Sequence, residues 1–484
     1  MAYRDVREWI EQVDAVGELT RIEGAHWDLE ASAVCAVSPR PVLFDRFPGY
    51  PPGFRLLARK LDAQQSRKVF FITAGWSSEA EGVALTKAWL DRLRQFRPVP
   101  PEEVSDGPIL ENVLTGDDID VLRFPVPRGY VLDAGRYVGT GHCVIVKDPD
   151  DGRINLGTYR MQVHDKASTG MFIIEGQDGQ MIVDKYHQRG QPCPMVAVVG
   201  IDPGLFMAST YRITHIDGAE LDFAGWLKGC PEQLVKGEYT GLPMPARAEI
   251  ALEGEVSPGD TRTEAPFAEW TGFCQATNAP VFRIKAIYHR NDPILTVSLG
   301  REVYPPGKGG IRGGFTGSAL VWDQMERAGV RGIKGVSFSH GGRLMVVSIK
   351  NSYAGHSKQA GLVASQTHAG GHSGGYVIVV DEDIDPSNLS DVMWAIIMRT
   401  NPARAVQVLE HCWGSQTTLQ DPSRVQPAPY AMRPEKATYN SFAIIDACKP
   451  LEWDPSWHQE VRISSELKQQ VLSKWGDVLR ARPE

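Results

Sequence analysis

The feature that most constrains the fold is a change in hydrophobic pattern along the chain. Between Thr140 and Leu299, short β-branched runs such as HCVIV, MVAVVGI and VFRIKAIYH are separated by Gly and Pro. Runs of this length between turn residues are typical of strands. Many of them in succession predict a β-rich, barrel-like domain from about Asn112 to Leu299, interrupted by one helix from Ala219 to Gly229.

Beyond the Gly-rich stretch PPGKGGIRGGFTG, helical and strand patterns alternate. SALVWDQMERAG and KQAGLVASQ predict helices, whereas LMVVSI and YVIVVDEDID predict strands. LSDVMWAIIMR predicts a further helix, capped from Ser387 or Asn388. This alternation is typical of βαβ units and a mostly parallel sheet. Before the β-rich region, one helix is expected in the opening segment, with Val6 and Trp9 on its apolar face and Gly17 as its stop, and another from Glu79 to Phe96.

Composition excludes several classes of function. The net charge of −8 gives no basic footprint for nucleic acid or anionic membranes. No stretch approaches the roughly 20 apolar residues of a membrane helix, and MAYRDVREWIEQV lacks the apolar core of a signal peptide. Seven cysteines without a C-x-x-C pair argue against a disulfide framework or structural zinc. A cytoplasmic metabolic enzyme is therefore expected.

Three motifs resemble phosphate-binding or metal-binding sites, but their sequences argue against such sites. GKGGIRGG lacks the residues of a phosphate loop. His368 and His372 have a spacing that would suit a metal on a helix, but the glycines of HAGGHSGG favour a loop. The acidic run DEDID fits a solvated strand end better than a metal site.

Three segments of the β-rich region form a stronger constellation. The first, residues 155–160, runs from Asn155 to Arg160 as N-L-G-T-Y-R. The second, residues 208–220, runs from ASTY to DGAE. The third, residues 264–269, has the pattern E-x-P-F-x-E. An Arg fork can hold a carboxylate through two hydrogen bonds, and a nearby Glu can transfer a proton.

These segments resemble the UbiD-type decarboxylases, which use prenylated FMN. The resemblance runs along nearly the whole chain and includes GEL-x-RI, VIVVDEDIDP with the following VMWA helix, and IIDACKP. It implies an α/β (α+β) fold with a split-barrel flavin-binding domain, helical insertions and a C-terminal α/β oligomerisation domain. The implied divisions are an N-terminal α/β segment (1–111), the catalytic domain (112–316), the C-terminal domain (317–455) and a final helix on a partner subunit (456–484).

The resemblance also implies a reaction. It is the reversible, non-oxidative decarboxylation of an aromatic, heteroaromatic or α,β-unsaturated acid through a covalent adduct with prenylated FMN, which a prenyl-flavin synthase supplies. Arg160 would hold the carboxylate, Glu264 would orient Arg160, and Glu269 would protonate the carbon that loses CO2. The protein would be a homodimer or a higher homo-oligomer.

Relatives hold the flavin phosphate through Mn²⁺ or Mg²⁺, and often K⁺, with Asn, His and Glu ligands. The matching positions here are Asn155, Gln177 and Glu220, or Gly176 for the His if the alignment shifts by one. Gln177 is a departure that weakens the expected metal site. Other positions that match cofactor-lining residues are Gly157, Thr158, Tyr159, Arg160, Ser209, Thr210 and Tyr211, although Thr158 and Ser209 could equally be strand caps.

A second departure is the absence of a Lys. Many relatives carry one just before the VIVVDEDID strand, where this chain has Gly374, Gly375 and Tyr376. Arg212 could supply the missing charge. Tyr304, Phe315 and Trp413 are candidate pocket walls or core residues.

Two alternatives to a decarboxylase stay open. One is an ordinary flavin oxidoreductase on a similar split barrel. The other is a non-catalytic relative or a subunit of a multi-subunit carboxylase complex, which the two departures favour and the Arg160–Glu264–Glu269 set opposes.

Overall fold

The computed structural model describes residues 3–58, 66–211, 220–269, 272–300, 314–339, 342–372, 374–414, 440–453, 461 and 463–480. Arg212 and Tyr304 lie outside these ranges. Within the described residues, none of the helices combines the length and apolar character needed to cross a bilayer. The expected cytoplasmic location stays a prediction.

The described residues of the N-terminal region form four α-helices and four short strands. In chain order they are α1 (Val6–Ala15), β1 (Thr20–Glu23), α2 (Glu30–Val37), β2 (Val42–Asp45), β3 (Arg55–Ala58), α3 (Arg67–Thr73), α4 (Gly82–Arg94) and β4 (Glu102–Glu103).

Local sequence explains α1. The Asp5 side chain accepts a hydrogen bond from the Glu8 backbone N–H and so caps the helix, while Trp9 is one of four apolar side chains that α1 buries. Gly17 follows the helix with a positive φ of 73°, a conformation that glycine adopts at little cost.

The central region is rich in β-structure, as the sequence predicts, but its described residues form three α-helices where the sequence predicts one. Its elements are β5 (Asn112–Thr115), β6 (Tyr137–Gly139), β7 (Cys143–Lys147), β8 (Ile154–Gly157), β9 (Met161–Asp165), β10 (Ser168–Gly170), α5 (Asp178–Gln188), β11 (Cys193–Val198), α6 (Pro203–Thr210), α7 (Glu220–Lys228), β12 (Gln233–Lys236), β13 (Pro243–Pro245), β14 (Ile250–Ala268), β15 (Cys274–His289) and β16 (Ile294–Val297).

Nine of these strands form one antiparallel sheet, which curls into a half-barrel. The order along the sheet is β6-β9-β10-β15-β14-β11-β7-β8, and β5 pairs with β15. The long hairpin of β14 and β15 forms its centre. The sheet confirms the predicted mixed fold with a barrel-like β domain, whereas the exact domain boundaries stay a prediction.

Three strands of the predicted barrel, β12, β13 and β16, lie in other sheets. Residues 294–297 form β16, which pairs in parallel with β3 and completes a four-stranded sheet in the order β1-β2-β3-β16. The sequence of β16 does not show which sheet the strand joins. All four of its residues are buried, so it lacks the alternation of apolar and polar residues that would mark a strand with one solvated face. β4 pairs with β12 in a separate three-stranded sheet.

The C-terminal region alternates as expected. It comprises α8 (Phe315–Arg327), β17 (Ile333–Ser339), β18 (Leu344–Ile349), α9 (His356–Gln366), α10 (His368–Gly371), β19 (Gly375–Asp381), α11 (Leu389–Arg399), α12 (Pro402–Ala405), β20 (Val406–Cys412), β21 (Asn440–Asp446) and α13 (Ser465–Arg480). The sheet order is β17-β18-β19-β21-β20, with β18, β19 and β21 mutually parallel. Asn388 caps α11 by accepting a hydrogen bond from Ser390 N.

The prediction of a loop at HAGGHSGG is wrong. Residues 368–371 form the helical turn α10, and His372 continues it with φ −55° and ψ −46°. The Thr367 hydroxyl caps the turn by accepting a hydrogen bond from Gly370 N at 3.0 Å. A Cβ at Gly370 would overlap the Ala364 carbonyl oxygen of α9. Close packing against α9 therefore accounts for a glycine in this turn, and the cap offsets its low helix propensity.

The acidic run lies at the end of β19 as predicted, with Glu382, Asp383 and Asp385 exposed, and the Asp383 carboxylate is also ion-paired. Arg399, which is buried, donates to Asp383 at 2.6 Å, and Lys449 Nζ donates to the same carboxylate at 3.1 Å. These contacts lower the pKa of Asp383 and outweigh burial, which alone would raise it. Glu382, with 46% of its side chain exposed, fits the predicted solvated strand end.

Candidate active site

A cavity of about 600 Å³ opens where the half-barrel meets α5, α6 and α10. This volume is typical of cofactor and small-molecule sites. The cavity brings together nearly all the residues that the sequence singled out, namely Asn155, Gly157, Thr158, Tyr159, Arg160, Gln177, Ser209, Thr210, Tyr211, Glu220 and Glu269.

Arg160 lies at the centre of a buried three-residue cluster. Its Nε and Nη2 donate to the two carboxylate oxygens of Glu264, each at 2.7 Å, and its Nη1 donates to Glu269. At most 8% of any of these three side chains is exposed. Glu264 is outside the cavity lining and contacts Arg160 from behind, so its expected role of orienting Arg160 fits its position better than contact with a ligand.

A β-bulge explains the spacing of the two glutamates. Residues five apart on a regular strand point to opposite faces of a sheet. In the pairing of β14 with β15, Glu264 is opposite Thr277 and Phe267 is opposite Gln275, so β14 has one extra residue between them. The bulge restores a common face and lets both carboxylates reach Arg160. Pro266 is tolerated here because a bulge removes the need for its backbone N–H.

Aromatic rings hold the guanidinium on both sides. The Arg160 Cζ lies 4.2 Å from the Phe172 ring centroid and 4.6 Å from that of Phe267. Burial by itself lowers the pKa of Arg160, but the charges of Glu264 and Glu269 outweigh it and raise the pKa overall. The guanidinium is therefore a permanent, fixed positive charge.

Sequence reasoning missed Tyr137, a buried residue of β6 that lines the cavity. Its hydroxyl donates a hydrogen bond to Glu264, and its ring centroid is 4.6 Å from that of Phe267. Burial raises the pKa of Tyr137. Burial also raises the pKa of Glu264, although Arg160 and Tyr137 partly counteract this shift. No motif marks Tyr137, because its approach depends on the pairing of β6 with β9.

Two glycines make room for Tyr159. The Tyr159 side chain is buried, with its hydroxyl 3.5 Å from Asn155 Nδ2. A Cβ at Gly157, on β8, or at Gly179, in the first turn of α5, would overlap that hydroxyl. The absence of side chains at these positions fixes the ring between β8 and α5 and leaves backbone exposed to the cavity.

Gly179→Ala is expected to displace the Tyr159 ring and disturb both stability and ligand binding. Overpacking of this kind typically costs about 1–3 kcal/mol. Urea denaturation of the free protein measures this loss. Gly190→Ala is the converse comparison, a backbone cost without a clash, because Gly190 has φ 68° and no atom lies within 4 Å of the position that its Cβ would take, whereas Gly179 has no positive φ. Gly179→Ala/Tyr159→Phe should recover part of the stability, because it removes the hydroxyl but leaves Cζ 2.5 Å from the new Cβ. No recovery at all would contradict the steric explanation.

The hydroxyl groups near α6 mostly bind protein atoms. Thr158 donates to the His142 carbonyl at 3.0 Å and lies 3.1 Å from the Ser209 hydroxyl. Thr210 donates to backbone carbonyls of α6. The Tyr211 hydroxyl accepts from Trp89 at 2.8 Å and donates to the Thr316 carbonyl at 3.0 Å. These residues therefore shape the cavity wall more than they offer hydrogen bonds to a ligand.

Asn155, Gln177 and Glu220, the expected metal ligands, all line the same cavity together with Asp178. Burial raises the pKa of Glu220 to about 6, and the charge of Asp178 adds to the shift. Carboxylate and amide oxygens suit a hard cation such as Mg²⁺ or Mn²⁺. In the described part of the chain, however, no cluster of three or more His, Cys, Asp or Glu residues is placed to hold a metal ion. The metal stays a prediction.

Gly176, the alternative position for the metal ligand, packs against Trp413. Gly176 has φ 78°, and a Cβ there would lie 2.6 Å from Nε1 of Trp413. Gln177, the next residue, is the one that lines the cavity. Trp413 is thus close to the cavity. Phe315 packs against Phe70 with 4.8 Å between ring centroids, so it belongs to the core.

Glu220→Gln is expected to stabilise the metal-free protein at neutral pH. A carboxyl whose pKa rises on folding favours the folded state below its unfolded pKa, and this advantage disappears as the pH rises through the folded value. The shift from 4.5 to about 6 corresponds to about 2 kcal/mol. The variant should therefore match the wild type near pH 4.5 and exceed it above pH 7.

Chemical denaturation across this pH range in EDTA measures the difference. Parallel stability curves for the two proteins would contradict the prediction. Added Mn²⁺ should stabilise the wild type more than Glu220→Gln if Glu220 binds the cation.

Comparison with known families gives two matches. Residues 102–302 match the model of the UbiD family, described as the 3-octaprenyl-4-hydroxybenzoate carboxy-lyase Rift-related domain. Residues 311–431 match the corresponding carboxy-lyase C-terminal domain.

A curated relative and two solved structures extend this similarity. The chain is 31% identical over 431 residues to the phenolic acid decarboxylase of Bacillus subtilis (strain 168), covering 83% of this chain and 86% of that protein. The UbiD-class enzyme HmfF from Pelotomaculum thermopropionicum, solved with FMN, gives a TM-score of 0.76 at 26% identity, covering 97% of this chain and 100% of that one.

The vanillic acid decarboxylase of Sedimentibacter hydroxybenzoicus is 25% identical to this chain. Its closed form gives a TM-score of 0.82 and covers 99% of this chain and 100% of that one. Its open form gives 0.74.

Proposed function

Because the chain belongs to the UbiD family of decarboxylating carboxy-lyases, we propose that it catalyses the reversible, non-oxidative decarboxylation of an aromatic, heteroaromatic or α,β-unsaturated carboxylic acid. The observation that carries the proposal is the Arg160–Glu264–Glu269 cluster in the wall of a cavity of cofactor size. Its members have no evident structural need to be charged, since buried ion pairs rarely add net stability.

The cavity fits a flavin mononucleotide. Gly157, Tyr159 and Gly179 form one wall of the cavity, where the Tyr159 hydroxyl occupies the space beside both glycines. The N-terminus of α5 lacks a side-chain cap at Gln177 and lines the same cavity, so its backbone N–H groups suit a phosphate. Prenylated FMN would supply the electron sink and the covalent attachment point for the substrate. Asn155, Gln177 and Glu220 would bind Mn²⁺ or Mg²⁺ beside the phosphate, with K⁺ as a second ion.

Arg160 and Glu269 divide the chemical work. Arg160 binds the substrate carboxylate through Nη1, the nitrogen that Glu269 holds in the free protein. The carboxylate would otherwise add a third negative charge beside one positive charge. Glu269 therefore takes up a proton from solvent when it leaves Arg160, and it places its O–H near the reacting carbon. After CO2 departs, it donates that proton to the carbon.

Glu264 and Tyr137 act on Arg160 and not on the substrate. The two hydrogen bonds between Glu264 and Arg160 keep the fork oriented, and Tyr137 fixes Glu264 in turn. Phe172, Phe267, Ile174 and Leu299 give the cavity apolar walls. They favour a flat, mostly apolar acid and exclude water from the cluster.

Self-association is part of the proposal. α13 exposes Leu467, Val471, Leu472, Trp475, Val478 and Leu479, and α11 exposes Met393, Trp394, Ile397 and Met398. Apolar surface on this scale is unusual for a monomer and suits a homodimer or a higher homo-oligomer.

Protein co-expressed with a prenyl-flavin synthase tests the function. Absorbance and mass spectrometry should detect bound prenylated FMN, and anaerobic assays with aryl, heteroaryl and alkenyl acids should detect CO2 from at least one of them. Bound cofactor without CO2 release from any acid would contradict the proposal. Absence of flavin would favour the alternative of a non-catalytic relative or carboxylase subunit, for which Gln177 in place of the family His is the supporting observation.

A further inference from the structure

The C-terminal region contributes two imidazoles to the cavity. His368 and His372 are four residues apart on the turn of α10, and both line the cavity. Their ring centroids lie 5.8 and 5.9 Å from that of Trp413. Nδ1 of His372 is 3.4 Å from Nε2 of Gln177, the residue just before α5. The pair therefore faces the flavin domain next to the start of α5.

Close packing fixes this arrangement. The Trp413 indole fits against Gly176, where a Cβ would lie 2.6 Å from Nε1, and against Gly371, where a Cβ would lie 3.4 Å from Cε3. Gly370 allows α10 to pack on α9. Contacts with the backbone at Gly176 and Gly371 thus fix Trp413, and the packing of Gly370 on α9 fixes the histidine turn. Exposed surface histidines would not need such close packing.

The charges of the cavity lining show what the pair can do. Four acidic residues line the cavity: Asp133, Asp178, Glu220 and Glu269. Among the described lining residues, Arg160, His368 and His372 are the ones that can carry a positive charge, and Arg160 is bound to Glu264 and Glu269. A phosphate monoester with nearly two negative charges needs donors or cations to bind in such an environment.

We propose that His368 and His372 bind the phosphate of the flavin mononucleotide. This inference rests on the proposed flavin-dependent function. Even a neutral imidazole has one N–H donor, and a hydrogen bond to an anionic oxygen is stronger than one between neutral groups. With the Gln177 amide and the N–H groups of α5, the pair surrounds the phosphate from both domains. Phosphate binding then links the C-terminal domain to the cofactor.

Chelation of a transition metal is the competing use of an i, i+4 histidine pair. The described residues offer no third His, Cys, Asp or Glu in a metal-binding group with it, so phosphate is the better match.

Affinities of the apo-protein for FMN and riboflavin, measured by flavin fluorescence, test the proposal. The two probes differ only in the phosphate. Wild type should prefer FMN, and His368→Asn/His372→Asn should weaken FMN binding about 10- to 100-fold, corresponding to the 1.5–3 kcal/mol of a hydrogen bond to a charged group. Riboflavin binding should change less than about twofold. His164→Asn is the matched control, because His164 is half-buried outside the cavity lining, and it should leave both affinities unchanged.

Equal losses of FMN and riboflavin affinity would mean that the histidines only shape the wall, and would overturn the proposal. A second result would also overturn it: the wild type loses its preference for FMN in EDTA, and the double variant fails to retain a metal that the wild type binds. The histidines would then bind a metal and not the phosphate. If wild type binds neither flavin, the flavin-dependent function itself fails and this inference fails with it. If wild type prefers FMN and the double variant does too, only the histidine assignment fails.

Discussion

Glu269→Gln is expected to lower kcat by about 10²- to 10⁴-fold, the usual contribution of a positioned proton donor. Glutamine keeps the size of the side chain, and its amide oxygen can still accept from Arg160 Nη1, which Glu269 does in the free protein. The fold and flavin retention should therefore be unchanged. What the variant lacks is a proton to deliver to the carbon that loses CO2.

Substrate binding separates this role from a structural one. We expect Glu269→Gln to bind the acid substrate with a Kd close to that of the wild type, measured from the change in flavin absorbance. Single-turnover experiments should show slow appearance of product and slow deuterium incorporation from D2O. A variant that keeps kcat within tenfold of the wild type would refute Glu269 as the proton donor.

Glu264→Gln is the matched comparison, since it makes the same change in the second glutamate that binds Arg160, which lies in β14, whereas Glu269 directly follows that strand. Glu264 contacts Arg160 through Nε and Nη2 and is hidden from the cavity. Its replacement should loosen Arg160 and raise KM, with a smaller effect on kcat. If both variants lost kcat equally with KM unchanged, the division of roles between the two glutamates would be wrong.

The sequence was informative where chemistry is carried by residue type and order. The motifs that contain Arg160, Glu264 and Glu269 can be recognised from their spacing in the sequence alone. The structure does bring these three residues together. The sequence could not show why a spacing of five works, because the bulge after Glu264 depends on pairing with β15. Tyr137 has no motif at all, and its contact with Glu264 spans more than a hundred residues of chain.

The histidine turn illustrates a different limit. Glycine lowers the propensity for helix by about 1 kcal/mol per residue, and HAGGHSGG therefore predicts a loop. In the folded chain a glycine is required for contact with α9, and Thr367 caps the turn. Tertiary packing reverses the local preference at the point where His368 and His372 reach the cavity.

Arg160→Met is expected to destabilise the protein by about 3–5 kcal/mol near pH 8, since it removes one partner of a buried ion cluster. Methionine keeps apolar contact with Phe172 and Phe267, so loss of packing should be small. The cost comes from Glu264 and Glu269, which stay buried without a countercharge. Decarboxylation should also be lost, since the site for the substrate carboxylate is gone.

The pH dependence identifies the cause of this loss. Burial raises the pKa of Glu264 even with Arg160 present, and without Arg160 the shift should increase. A carboxyl with a raised pKa favours folding at low pH, and that stability is lost as the pH rises through the folded value. The deficit of Arg160→Met should therefore shrink between pH 8 and pH 5.5 in urea unfolding.

Two further variants complete the test of Arg160. Arg160→Met/Glu264→Gln should recover a large part of the stability of Arg160→Met, because it removes one of the stranded charges, yet it should stay inactive. Arg160→Lys should remain more stable than Arg160→Met but bind substrate poorly, since an ammonium cannot bind Glu264 and a carboxylate with a planar fork. If the double variant is no more stable than Arg160→Met, the cluster is held together by packing and not by charge, and Arg160 would then be a structural residue as much as a functional one.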